Sequence, residues 1–344
     1  MNTAGLDFDP ARLAGYLDGL PSAGHGPLDV RRTEGGMSNP TYFLRRGDWR
    51  AVLRKQPAGE LAPSAHAIDR EYKVLQALHG GSVPVPRPLH YAVDPRIVGT
   101  PFYLMEQLDG RVFHAFATPG LTPAERSALY DAMVSTMAAI HRVDVAAVGL
   151  ADHGRPGNYF ERQLRRWGAQ WRDSYRRGAD DNPALDRLLA WLEARVPGSA
   201  LQTLCHGDFR IGNLMFHATE PRVIGVLDWE LSTLGHPLVD VAFNSQAWRM
   251  APDENGGLLG LPLAALGIPT EDAYLARYHA LAGSTERMTA FHQAFAMFRG
   301  AVGSTGVAMR GEQGNGFLPE AARVGRHLAQ AYARRGLAIA EAAT

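Results

Sequence analysis

Asp208, Asn213 and Asp228 have the residue types and spacing that magnesium-dependent phosphoryl transfer needs. Asp208 follows His206-Gly207 after the apolar run Leu204-Cys205, where the glycine permits a sharp turn that leaves the carboxylate exposed. Asn213 comes five residues later, and Asp228 ends a second apolar run, Val223-Ile224-Gly225-Val226-Leu227, fifteen residues beyond Asn213. In such chemistry one Asp, here Asp208, orients a hydroxyl and accepts its proton during attack on a γ-phosphate. A neutral oxygen from Asn213 and an anionic one from Asp228 suit a hard cation such as Mg2+.

The neighbours of these residues are weaker candidates. His206 has the chemistry of a base or a metal ligand, but two carboxylates with an Asn favour magnesium over zinc. A structural role in shaping the loop is the better reading. Glu230 and Asp240 offer further metal contacts, or acceptors for the loop backbone. Cys205 lies inside the apolar run and is expected to pack there. As the single cysteine it excludes an internal disulfide and a multi-Cys zinc site, and it fits a reducing compartment.

The elements that must position these groups read as an α+β pattern. Residues 28–56 read as a small antiparallel sheet around Glu34-Gly35-Gly36-Met37-Ser38-Asn39-Pro40 and the turn Gly47-Asp48. Residues 65–78 read as a helix with Ser64 as N-cap and Gly80-Gly81 as its stop. Its Glu71 is either solvated or the partner of a basic residue from the preceding strand. Tyr91-Ala92-Val93 and Phe102-Tyr103-Leu104-Met105 read as strands, and a turn at Asp109-Gly110 marks a lobe boundary near 107–112. This divides the chain into 1–107, β-rich, and 108–344, mostly helical.

In the second part, Thr122-Pro123-Ala124-Glu125 is a capping box and His141 ends its helix in a structural place. From 160 to 177 an apolar face of Phe160, Leu164, Trp167, Trp171 and Tyr175 runs beside Arg162, Arg165, Arg166, Arg172, Arg176 and Arg177. These arginines have only Glu161 and Asp173 as local acids. They are either a solvated helix face or a cationic patch for an anionic substrate. Asn182-Pro183 caps the next helix, and 311–316 reads as a glycine-rich loop between the last two.

Bulk properties narrow the classes. At 344 residues the chain is long for one core, so two lobes are expected. Lys plus Arg and Asp plus Glu both number 35, so no overall field points to nucleic acid or a membrane surface. Residues 1–19 do not read as a signal peptide, and no apolar stretch is long enough to span a bilayer. A cytoplasmic protein is expected; its oligomeric state is not legible.

His206-Gly207-Asp208, Asn213 and Val226-Leu227-Asp228-Trp229 together resemble the motifs of the aminoglycoside phosphotransferase/choline kinase family. Gly36-Met37-Ser38-Asn39-Pro40, Val52-Leu53-Arg54-Lys55, Arg70-Glu71-Tyr72 and Asp228-Trp229-Glu230-Leu231-Ser232 are similar to one branch. That branch is the kinase-like domain fused to acyl-CoA dehydrogenases, with its free-standing bacterial relatives. The resemblance covers most of 28–250. It implies a protein-kinase-like two-lobe fold, ATP and Mg2+ as cofactors, Asp208 as base, and Asn213 and Asp228 as metal ligands. It places Ser38 over the nucleotide phosphates and the segment of Glu106 and Leu108 as a hinge against adenine. Arg54, with Lys55 next to it, stands where the family has a phosphate-binding Lys; alternation lets only one of the two enter the cleft and pair with Glu71.

The branch implies phosphorylation of a hydroxyl on an acyl-CoA, and Arg162, Arg165, Arg166 and Arg172 are the candidate contacts to such an anionic acceptor. The alternatives are an aminoglycoside or other small-molecule O-phosphotransferase, and a non-catalytic nucleotide-binding module. A metallohydrolase built on His206 and Asp208 is a third reading.

Overall fold

Val30, Tyr42, Leu44, Ala51 and Leu53 are buried on one face of an antiparallel sheet, as their alternation along the chain requires. The computed structural model describes residues 6–33, 39–58, 68–198, 201–312 and 320–344. The chain divides into two compact units, 1–110 with 224–230, and 111–223 with 231–344.

The first unit opens with α1 (Pro10–Asp18), capped by the Asp9 carboxylate on the Ala11 N–H at 2.9 Å. There follow β1 (Asp29–Arg32), β2 (Thr41–Arg46), β3 (Trp49–Lys55), α2 (Ile68–Leu78), β4 (Pro88–Ala92), α3 (Pro95–Val98) and β5 (Phe102–Glu106). The five strands form one antiparallel sheet in the order β1-β2-β3-β5-β4. Leu13 and Leu17 of α1 pack with Leu44, Ala51, Leu53 and Leu104 on one face. Truncating one of these leucines to Ala costs about 2–5 kcal/mol. Val93, expected in a strand, lies just beyond β4 and is exposed. The expected N-cap at Ser64, the helix start at 65 and the turn 34–38 lie outside the described residues.

In the second unit come β6 (Gly110–Val112), α4 (Pro123–His141), α5 (Tyr159–Arg176), α6 (Pro183–Glu193), β7 (Thr203–Cys205), β8 (Leu214–His217), β9 (Val223–Val226) and β10 (Thr233–Gly235). Strands β6 and β9 run across the divisions between the units. The helices α7 (Leu238–Ser245), α8 (Leu263–Leu266), α9 (Glu271–Ala282), α10 (Ala290–Glu312) and α11 (Ala321–Ala342) complete the chain. The capping box at Thr122 and Glu125 is present, and the side chains of Asn158 and Asn182 cap α5 and α6. The core gathers Phe160, Leu164 and Trp171 of α5, the leucines of α6, and Phe291, Phe295 and Phe298 of α10. Gly325 lets α11 approach α10 closely, because a Cβ there would meet the Ala308 backbone nitrogen at 2.6 Å.

Two expectations are corrected. Tyr175 is exposed rather than part of the apolar face; Tyr159 and Ser174 are buried in α5 instead, so the buried stripe sits about one residue round from the expected one. Gly311 belongs to α10, which continues to Glu312, while 313–319 lie outside the described residues. No described helix is long and apolar enough to cross a membrane.

Candidate functional site

In the first unit the site residues gather on Arg54. Successive residues of β3 alternate, so Ala51, Leu53 and Lys55 face α1 while Arg54 faces the α2 side. There Arg54 Nε lies 2.9 Å from Glu71 Oε2, and Nη2 donates to Asp228 Oδ1 at 2.5 Å. Glu230 Oε2 is 3.7 Å from the same Nη2. Glu71 Oε1 also accepts the Trp229 N–H at 3.3 Å, and Asn39 Nδ2 donates to Glu230 Oε2 at 3.4 Å. Burial alone would lower the Arg54 pKa, but Glu71, Asp228 and Glu230 outweigh it and hold the guanidinium above its ordinary value. Three carboxyl groups thus converge on one guanidinium, and burial pushes the Glu71 pKa up even against the pull of Arg54. Asp228 itself sits at φ +65°, a strained backbone for a residue with a side chain.

Lys55 is turned away from this cluster, which corrects its expected place among the phosphate contacts. It is buried on the opposite face of the sheet, 3.0 Å from Asp7 Oδ2 and 5.4 Å from the Phe8 ring centroid. Asp7 accepts a second hydrogen bond, 2.6 Å from the Tyr42 hydroxyl. Glu106 ends β5, its N–H donating to the Arg87 carbonyl at 2.9 Å. Leu108 lies against Gly225, where no larger residue fits beside it. Ser38 lies outside the described residues.

The second unit holds the Asp208 loop, between β7 and β8. Gly207 has φ +84°, and a Cβ there would run into the Leu231 carbonyl. The buried Asp240, in the first turn of α7, accepts the His206 N–H at 2.6 Å and the Gly207 N–H at 2.8 Å. His141 Nε2 lies 3.3 Å from Asp240, and its Nδ1 is 2.7 Å from the Tyr278 hydroxyl. Burial alone would raise the Asp240 pKa; His141, His206 and the loop N–H groups outweigh it and hold the carboxyl below the usual carboxylate range. His206 is fully buried, and its Nδ1 accepts the Asp208 N–H at 3.2 Å. It therefore shapes the loop.

Asn213 Nδ2 donates at 2.8 Å both to the Asp208 carbonyl and to Asp208 Oδ2, which Arg210 Nε approaches at 3.3 Å. Both amide hydrogens are thus used, and the Asn213 carboxamide oxygen is left as an acceptor. Such an amide oxygen suits a hard divalent cation, and so, in the first unit, do the carboxylate oxygens of Asp228 and Glu230. His141, Cys205 and Asp240 also bring ligand atoms within 4.8 Å of one another. They fit a metal poorly: Asp240 is engaged by N–H donors, and burial holds the Cys205 thiol well above its ordinary pKa and therefore protonated.

The arginines of α5 are largely engaged. Arg162 Nη1 donates to the carbonyls of Pro156 and Gly157, Arg165 pairs with Glu161 at 2.9 Å, and Arg172 pairs with Glu193 of α6 at 2.9 Å. Arg166 lies 5.6 Å from the Trp167 ring centroid. Of these four, Arg165 and Arg172 meet a carboxylate, Arg165 from within α5 and Arg172 from the neighbouring helix α6. Exposed pairs of this kind are worth about 0–1 kcal/mol, so an anionic ligand can exchange for them. Sequence reasoning missed Arg299, whose Nη2 donates to the Gly207 carbonyl at 2.7 Å. Its one signal was a charge directly after the apolar run Phe295-Ala296-Met297-Phe298.

Residues 29–291 match the model of the phosphotransferase enzyme family. Acyl-CoA dehydrogenase family member 10 of Mus musculus is 40% identical over 319 residues, which are 91% of this chain and 30% of that protein. The chain spans about a third of the length of the curated relatives it matches. A Ralstonia eutropha JMP134 crystal structure, provisionally assigned as an aminoglycoside phosphotransferase, is 40% identical with TM-score 0.85, covering 97% of this chain and 99% of that one. The aminoglycoside phosphotransferase APH(4)-Ia, solved with ADP and hygromycin B, shares the protein-kinase-like fold at TM-score 0.58 and 18% identity, covering 90% of this chain and 94% of that one.

Proposed function

The chain belongs to the phosphotransferase enzyme family, and on that premise we propose that it transfers the γ-phosphoryl group of ATP to a hydroxyl of a hydroxyacyl-CoA. The observation that carries the reaction class is the Asp208 carboxylate. It is tethered by Asn213 at 2.8 Å on a loop whose preceding N–H groups are held by the buried Asp240. Asp208 Oδ1 accepts the acceptor's hydroxyl proton as its oxygen attacks phosphorus and the bond to the leaving ADP breaks. Asn213 and Asp228 are the residues that would hold Mg2+, which when bound neutralises charge on the phosphates. Arg54, oriented by Glu71, meets the nucleotide's phosphates.

ATP as donor is supported by the ADP complex of APH(4)-Ia, and the acyl-CoA acceptor by the relatives named for acyl-CoA chemistry. The exchangeable pairs at Arg165 and Arg172 suit an anionic acceptor. An aminoglycoside acceptor is the second reading, favoured by the assignment of the Ralstonia eutropha structure.

One screen decides between them: ADP release from MgATP with hydroxyacyl-CoAs, free hydroxy acids, choline, sugars and aminoglycosides. Turnover is expected with hydroxyacyl-CoAs. Turnover confined to aminoglycosides would overturn the acceptor.

A further inference from the structure

We propose that Arg299 is a positioning residue for catalysis, fixing the Gly207 carbonyl and through it the direction of the Asp208 peptide. The inference rests on the phosphotransferase reading above. Arg299 stands on α10, is 6% exposed, and donates from Nη2 to the Gly207 oxygen at 2.7 Å. Its guanidinium carbon lies 5.5 Å from the Trp167 ring centroid and 5.4 Å from that of Phe243. Its Nε and Nη1 are buried with no hydrogen-bond partner, and among the described residues no carboxylate is in ion-pair contact with it. A buried cation without a counterion is costly, and a fold centred on stability alone has no reason to keep one.

What the cation does is complete the restraint of the two peptide groups that flank Gly207. Asp240 Oδ1 holds the Gly207 N–H, Arg299 holds the Gly207 carbonyl, and His206 Nδ1 holds the next N–H, that of Asp208. The loop is thus gripped by a buried anion on its amide side and a buried cation on its carbonyl side. Gly207, at φ +84°, has no side chain of its own to resist rotation. Two aromatic rings fix the plane of the guanidinium, which a flexible ammonium cannot reproduce.

The test uses the full chain with Arg299→Lys, Arg299→Gln and Arg299→Ala. Hydrogen exchange of the 203–214 segment is followed alongside ADP release from MgATP with the best acceptor of the screen. Arg299→Gln is expected to lower kcat about 100-fold, as a misplacement near 1 Å does, with KM for ATP little changed. Exchange at Gly207 and Asp208 should quicken while that of β1 to β3 does not. Millimolar guanidinium, but not urea, should restore turnover to Arg299→Ala by refilling the space between Trp167 and Phe243. Wild-type kcat and unchanged loop exchange in Arg299→Gln overturn the assignment. If Arg299→Gln does not fold, Arg299→Lys decides: a loss of about tenfold in kcat is expected, and wild-type kcat overturns it. A wild-type protein that releases no ADP with any acceptor sinks the phosphotransferase reading, and the exchange data still judge Arg299.

Discussion

Arg54 Nη2 and Asp228 Oδ1 meet at 2.5 Å across a sequence separation of 174 residues, and the same guanidinium lies 2.9 Å from Glu71. The β3 strand, the α2 helix and the 224–230 segment are thereby tied to one cation. Glu71 is 2% exposed, so its carboxylate depends on that cation for its charge.

Replacing Arg54 with Met should therefore abolish ADP release and destabilise the protein by about 3–5 kcal/mol, the cost of stranding a buried charge. Adding Glu71→Met should recover much of the urea midpoint without recovering turnover. Arg54→Lys keeps the charge but loses the fork, and should retain stability with a raised KM for ATP. Equal turnover in Arg54→Met and wild type would remove Arg54 from the site.

Asp208→Asn keeps the hydrogen bond from Asn213 but cannot accept a proton. A fall in kcat of about 100- to 10,000-fold is expected, with MgATP affinity by calorimetry nearly unchanged. Full activity in this variant would mean that another group takes the hydroxyl proton.

His292 carries a prediction for stability against pH. Burial, and then the neighbouring His236, lower its pKa from 6.5 to about 4. Between those values the unfolded chain binds a proton that the native protein does not, so stability falls as pH drops through this window. The full shift amounts to about 3 kcal/mol, complete below pH 4. His292→Asn keeps an acceptor for the Thr289 N–H, 3.1 Å away in the wild type, and should flatten the urea midpoint between pH 6.5 and 4. An unaltered slope would show that other groups set it.

Cys205, the one thiol, is fully buried, and burial pushes its pKa well above the ordinary value. A thiol-disulfide reagent should leave it untouched in the native protein and titrate one equivalent on unfolding. Rapid native-state labelling would contradict the packing at the end of β7.

The motif residues and the sheet of the first unit were legible because local pattern controls them: alternation made strands, and glycine next to Asp208 made a turn. The same alternation required that one of Arg54 and Lys55 face Glu71, but the choice rested on Asp7, a distant acid that receives Lys55. The pairing of Arg172 was not legible for a related reason, since Glu193 reaches it from another helix. Arg299 was hidden because its partner is a carbonyl 92 residues away, and main-chain acceptors leave no mark in a sequence.

Residues 224–230 belong to the first unit although they follow 111–223 of the second. During synthesis, the β3 strand and α2 emerge long before Asp228 and Glu230 exist. At ribosomal speeds this delay is on the order of 10 s. Until then Arg54 has Glu71 alone, and Glu71 lacks the Trp229 N–H. The amino-terminal unit can mature only after most of the chain is made, and a fragment ending at residue 110 should remain incompletely folded.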